Sequence, residues 1–99
     1  MPQLIWSDKA ASDLEDIHDY IAKDSIFYAI VQVDRLMKSV ERLQAFPESG
    51  RTLPEYQNTP YREVIHGSYR IIYRYESAQD RILIITVAHA SRLITNILR

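Results

Sequence analysis

Cysteine is absent from this 99-residue chain, which excludes disulfides, thiolate zinc sites and cysteine nucleophiles. Three scattered histidines leave no basis for a metal site, so none is expected and no cofactor is called for. Glycine occurs twice and proline four times, too rarely for a collagen-like or linker sequence. With 46% apolar and 25% charged residues the whole chain, 1–99, is expected to fold as a single domain around one core. Long apolar runs are missing too. The longest, Ile82 to Ala88, is interrupted by Thr86 and falls far short of the roughly 20 residues of a membrane span. The opening Met1-Pro2-Gln3-Leu4-Ile5-Trp6-Ser7-Asp8 lacks the basic and apolar regions of a secretory signal, which predicts a cytoplasmic location without membrane association.

A strong net charge is also lacking: the total is −1, which gives no reason to expect a dedicated nucleic-acid binder. The halves nevertheless differ. Residues 1–50 carry five Lys or Arg against nine Asp or Glu, a balance of −4, whereas residues 51–99 carry seven Arg against four acids, a balance of +3. An all-arginine set suits two-pronged recognition of carboxylate or phosphate, and equally a solvated strand surface.

What is present sorts into a clear order of elements. Gln3 to Trp6 reads as a strand, with Ser7-Asp8 capping the helix that follows. Ala10, Leu14, Ile17 and Ile21 then recur at helical spacing opposite Asp13, Glu15, Asp16 and Asp19, which predicts an amphipathic helix ending near Lys23. Asp24-Ser25 caps a second, longer helix, carrying Ala29, Val33, Leu36, Val40 and Leu43 on its apolar face, that runs to Phe46 and is closed by Pro47. A connection this short makes the two helices an antiparallel hairpin. Ser49 to Pro60 is rich in turn formers and reads as a loop. Tyr61 to Ile65 and Tyr69 to Tyr75 flank a turn at His66-Gly67-Ser68, and Arg81 to His89, apolar on both faces at its centre, reads as an interior strand. The tail Ser91 to Arg99 carries Leu93, Ile94, Ile97 and Leu98 at helix-like spacing and needs a partner surface to be stable. The expected fold is therefore α+β, in the order β-α-α-β-β-β, with a helical hairpin on a mainly antiparallel four-stranded sheet and a short C-terminal tail or helix. Its core should include Leu14, Ile17, Val33, Leu36, Val40, Ile71, Ile84 and Val87.

This order, together with Ile5-Trp6-Ser7 before Ala10 and Asp13-Leu14, Tyr20-Ile21-Ala22, Phe46-Pro47 then Gly50-Arg51, Tyr61-Arg62-Glu63, Tyr69-Arg70-Ile71-Ile72-Tyr73-Arg74 and Val87-Ala88-His89 with Arg92, resembles the RelE/ParE superfamily of bacterial toxins. The matching segments span residues 5 to 92 and look most like the ParE-type or plasmid-stabilisation branch. The resemblance implies the toxin of a type II toxin–antitoxin pair. Its partners would be a cognate antitoxin and, as target, either DNA gyrase or the ribosome with its mRNA. An antitoxin segment would fold around the domain, covering apolar surface beside the helices and pairing acids with the arginines of the sheet, with the tail from Leu93 to Leu98 docking it or being displaced by it.

Cleavage of RNA through its 2′-hydroxyl needs a base, an acid and a cation for the charge developing on phosphate. Glu55, Arg70 and His89 are the residue types for these roles, and the resemblance implies that they would be the catalytic set if the chain is a YoeB-like nuclease. Ala90 and Asn96 stand near where RelE-like nucleases carry an Arg and a Tyr, and the lysines of those nucleases are missing. The ParE-like reading, inhibition of gyrase by binding, supplies no catalytic set. A degenerate, non-toxic module that only binds its antitoxin is a third reading. Arg62, Arg74 and Arg92 are candidate binding residues that, with Arg70, would form one cationic face. Blander roles stand beside these: Arg70 would pair with Glu63 across the hairpin, and His89, sharing strand parity with Leu83, Ile85 and Val87, would be a partly buried strand-end histidine.

Overall fold

The computed structural model describes residues 1–94. Strand β1 (Gln3–Trp6) leads into helix α1 (Asp8–Ala22), whose first turn is capped by the Ser7 hydroxyl accepting from the Ala10 amide at 3.0 Å. Ser25 caps helix α2 (Ile26–Ser39) in the same way, through the Tyr28 amide at 3.1 Å. The second helix is shorter than its apolar repeat predicts. From Glu41 to Gln44 the chain tightens into a 3₁₀ turn, whose three-residue period brings Val40 and Leu43 to the same side, and both are fully buried. The Gln44 side-chain amide, through Nε2, then donates to the Pro2 carbonyl and ties this turn to the start of β1.

Within the expected loop lies a two-residue strand, β2 (Arg51–Thr52), paired antiparallel to β3 (Tyr61–His66), so the sheet has five strands rather than four. A strand this short leaves no alternation to read. Strands β4 (Tyr69–Glu76) and β5 (Arg81–His89) complete an antiparallel meander, and β1 joins it parallel to β5, giving the order β1-β5-β4-β3-β2. Gly67, at φ +58°, supplies the backbone that the two-residue turn between β3 and β4 requires. Gly50 is required for a different reason. A Cβ there would meet the Tyr73 ring and the Glu63 carbonyl at 2.6–2.7 Å, and its amide donates to the buried Tyr73 hydroxyl.

The helices cover one face of the sheet, where Leu14, Leu36, Val40, Leu43, Val64, Ile71, Tyr73, Ile82, Ile84 and Val87 form the main core. Ile17 and Val33, expected in the core, are only half-buried. One irregularity sets the rest. Ile72 pairs with Thr86 but Tyr73 pairs with Ile84, leaving Ile85 without a partner on β4, a β-bulge. The bulge reverses the strand's parity, so that Val87 joins Ile82 and Ile84 beneath the helices. Asp13 on α1 fastens it, accepting from the Thr86 hydroxyl and the Val87 amide. On the opposite face a smaller cluster gathers Leu53, Tyr61, Ile72, Ala88 and Ile94. The predicted tail helix falls partly on Ile97 and Leu98, outside the described residues. Among the described residues no helix is long and apolar enough to cross a membrane.

Candidate functional site

Arg70 is the second residue of β4, with Ile65 and Ala88 as its cross-strand neighbours, and period-two geometry puts it on the face away from the helices together with Glu63. Its side chain is only 5% exposed. The guanidinium makes a two-pronged contact with Glu55, Nη1 to Oε2 at 2.6 Å and Nη2 to Oε1 at 2.7 Å, while Nε donates to Glu63 Oε1 at 2.6 Å and Nη1 also donates to the Arg92 carbonyl at 2.9 Å. Glu63, whose carboxylate is fully buried, takes a second bond from Arg51 Nε. Glu55 in turn accepts from the Ile94 amide at 3.0 Å. The Arg70 fork and the Ile94 amide hold the Glu55 carboxyl down at about 2, against an ordinary 4.5, even though its partial burial pushes the other way. The same contacts hold Arg70 firmly charged.

The cross-hairpin pairing of Arg70 with Glu63 is thus present, but as part of a buried network rather than on a solvated surface. Two of the three residues named for nuclease chemistry, Glu55 and Arg70, meet. His89 does not join them. It lies beside Tyr69, on the helix side of the sheet, its ring edge-on to the Tyr69 ring at 6.0 Å, and Arg70 faces the other way with Ala88. Nor is His89 the partly buried residue expected from strand parity: the bulge at Ile85 shifts that parity, and the strand end leaves the ring exposed. Its Nδ1 lies 2.8 Å from the Ser91 hydroxyl and 3.2 Å from the Ser91 amide nitrogen.

The expected cationic face is not formed. Arg70 and Arg74 do share a face, but Arg74 donates to Glu76 at 2.6 Å and lies 5.9 Å from the centre of the Tyr61 ring. Arg62 stands in register with Tyr73, hence on the helix side, and donates to the Gly50 carbonyl. Arg92 is exposed and lines an open cleft of about 840 Å³ between the helices, the β3–β4 turn and the end of β5, where His89 also lies with Asp16, Arg35 and His66. That gathering of Arg35, His66 and His89 was not legible in the sequence, because the three lie on different elements. Among the described residues no group of His, Asp and Glu is arranged to hold a metal ion.

Residues 4–94 match the family model described as the ParE toxin of the type II toxin–antitoxin system parDE. Toxin RelE2 of Caulobacter vibrioides is 32% identical over 93 residues, covering 94% of this chain and all of that protein. Among solved structures, the chromosomal ParDE system of P. aeruginosa superposes with a TM-score of 0.74 at 24% identity, over 92% of this chain and 98% of that one. The intact E. coli RelBE toxin–antitoxin complex gives 0.65 at 16% identity, over 93% of this chain and all of the other.

Proposed function

The chain belongs to the ParE toxin family of type II toxin–antitoxin systems, and from that premise we propose that it arrests growth by binding DNA gyrase, until a cognate antitoxin neutralises it. The observation that carries the gyrase reading is the state of Arg70. A cation that stabilises a developing phosphate charge must offer donors to it. Here four donor contacts of the guanidinium go to two carboxylates and a carbonyl inside the protein, and His89 sits on the other side of the sheet. A toxin that acts by binding needs no such set. The net charge of −1 supports the same reading, since a nuclease working on ribosome-bound mRNA must approach a dense polyanion. For the antitoxin, support comes from the hairpin: Ile26, Ile30 and Met37 lie along one side of α2 and are exposed, with Phe27 next to Ile26 exposed as well. Contiguous exposed apolar side chains of this kind mark a protein–protein contact.

The contact between Glu55 and Arg70 favours a second reading, a ribosome-dependent mRNA endoribonuclease, in which this pair would open on substrate and be completed by His89. Expression of the chain alone, and together with the small gene beside its own, separates the readings. Gyrase inhibition gives an early DNA-damage response with intact mRNA, and rescue by the neighbouring protein. Cleaved ribosome-bound mRNA would replace it with the nuclease reading, and normal growth with the non-toxic module. His89→Ala is the sharpest variant, because His89 is exposed and its loss should leave the thermal melt unchanged. Undiminished toxicity is expected; a folded but harmless protein would count for the nuclease.

A further inference from the structure

The open cleft between the helical hairpin and the end of the sheet is floored by a row of three rings. His66 on β3 pairs with Tyr69 on β4, and Tyr69 in turn with His89 on β5, so the three side chains stand side by side on the helix side of neighbouring strands. Arg35 reaches the same space from α2, and Arg92 from the turn that follows β5. Both arginines are exposed, and among the described residues neither forms an ion pair, whereas Arg51, Arg70, Arg74 and Arg81 each hold a carboxylate. The rim is fixed in advance of any ligand: the Ala90 amide donates to the Ser68 carbonyl at 2.7 Å, the Arg92 amide to the His89 carbonyl at 3.0 Å, and Arg70 Nη1 to the Arg92 carbonyl at 2.9 Å. Of the two carboxylates lining the cleft, Asp13 is engaged by Lys9, Thr86 and Val87, which leaves Asp16.

We propose that this cleft binds a free nucleoside monophosphate, with Arg35 and Arg92 taking the phosphate, the row of rings carrying the base and Asp16 accepting from a sugar hydroxyl. Unpaired guanidinium forks match the oxygens of a phosphate, and rings with polar edges match a base that is flat and polar at its rim. The space, about 840 Å³, lies in the range of small-molecule sites and far exceeds what a bare anion fills. A nucleic-acid strand fits less well. Leaving the cleft along α1, its further phosphates would meet Glu15 and Asp19, both exposed on that helix, in a chain of net charge −1. The inference is independent of whether gyrase or mRNA is the target. A ligand held by α1, α2 and the end of the sheet at once binds only the folded chain and therefore stabilises it.

Calorimetric titration of the full chain with each of the common nucleoside 5′-monophosphates tests this. At least one should bind saturably below about 1 mM and raise the melting temperature. Its nucleoside and inorganic phosphate should each bind about tenfold more weakly or worse, because each lacks half of the contacts. Arg35→Gln should weaken the nucleotide by about tenfold or more and abolish the rise in melting temperature. Arg42→Gln, which removes the same charge at an exposed position outside the cleft, should change neither. If Arg35→Gln does not fold, Arg92→Gln, at the second exposed arginine, should show the same loss. Failure of every nucleotide to bind, inorganic phosphate binding as tightly as the nucleotide, equal losses in the cleft and control variants, or a short single-stranded oligonucleotide binding more tightly than every mononucleotide would each overturn the proposal.

Discussion

The two faces of the sheet are built on different physics. Beneath the helices Leu36, Val40, Leu43, Ile71, Tyr73, Ile82 and Ile84 are wholly buried, with no charged side chain in the cluster. On the far face a handful of apolar residues surrounds Glu63, Arg70 and Glu55, two carboxylates and a guanidinium taken out of water together. Apolar burial is non-directional and tolerates any filling of about the right volume. A buried ion network contributes little net stability, because desolvation offsets its attraction, yet it allows only one arrangement of its members. The helix face therefore makes the chain fold, while the far face decides where the loop bearing Glu55 and the segment at Ile94 come to rest.

The comparison breaks most visibly at Arg70. Arg70→Met leaves Glu55 without its cation and Glu63 with only Arg51, and should cost about 3 to 5 kcal/mol in denaturant unfolding. Adding Glu55→Gln and Glu63→Gln to it should return most of that loss; if the triple variant is as unstable as the single one, the network stabilises more than its geometry implies. Next comes Asp13, which bridges the two regimes by fastening the bulge from the helix side. Asp13→Ala removes charge-assisted bonds to the Thr86 hydroxyl and the Val87 amide and should cost about 1.5 to 3 kcal/mol. On the helix face Ile84→Val removes one methylene and should cost only about 0.5 to 1.5 kcal/mol by thermal melt. The last test is titration. Glu55 has a folded value near 2 and an ordinary value of 4.5, so its contribution is complete above the higher value and is lost as pH falls through the lower. Wild-type stability should decline across that window, and Glu55→Gln should flatten the decline.

Much of the helix face was legible in the sequence because burial there follows period. The spacing of Ala10, Leu14, Leu36 and Val40, and the ends of β1 and β5, could be read directly. Three of the readings that missed share one cause: a departure from a regular period. The 3₁₀ turn after Ser39 cut short a helix whose apolar repeat continued, β2 was too short to alternate, and Ile85 shifted the parity on which the place of His89 depended. The far face was only half legible. Parity put Arg70 beside Glu63, but the position of Glu55 depends on a loop with no repeat, and the depth of all three depends on what that loop covers. Nor could parity bring Arg62 to the face of Arg74: the register places them on opposite sides.

The pairing of β1 with β5 also sets a timetable. Gln3–Trp6 is synthesised before the other strands of this sheet, and its partner, Arg81–Ile84, belongs to the strand made after them. Even the Ser7 hydroxyl that caps α1 donates onward to the Ile85 carbonyl. During translation the N-terminal strand therefore waits unpaired, its Leu4 and Trp6 exposed, while the β3–β4 hairpin closes locally behind it. The finished sheet cannot assemble on a nascent chain that stops short of β5, so a truncated product lacks both its closing strand pair and the far face that β5 helps to form.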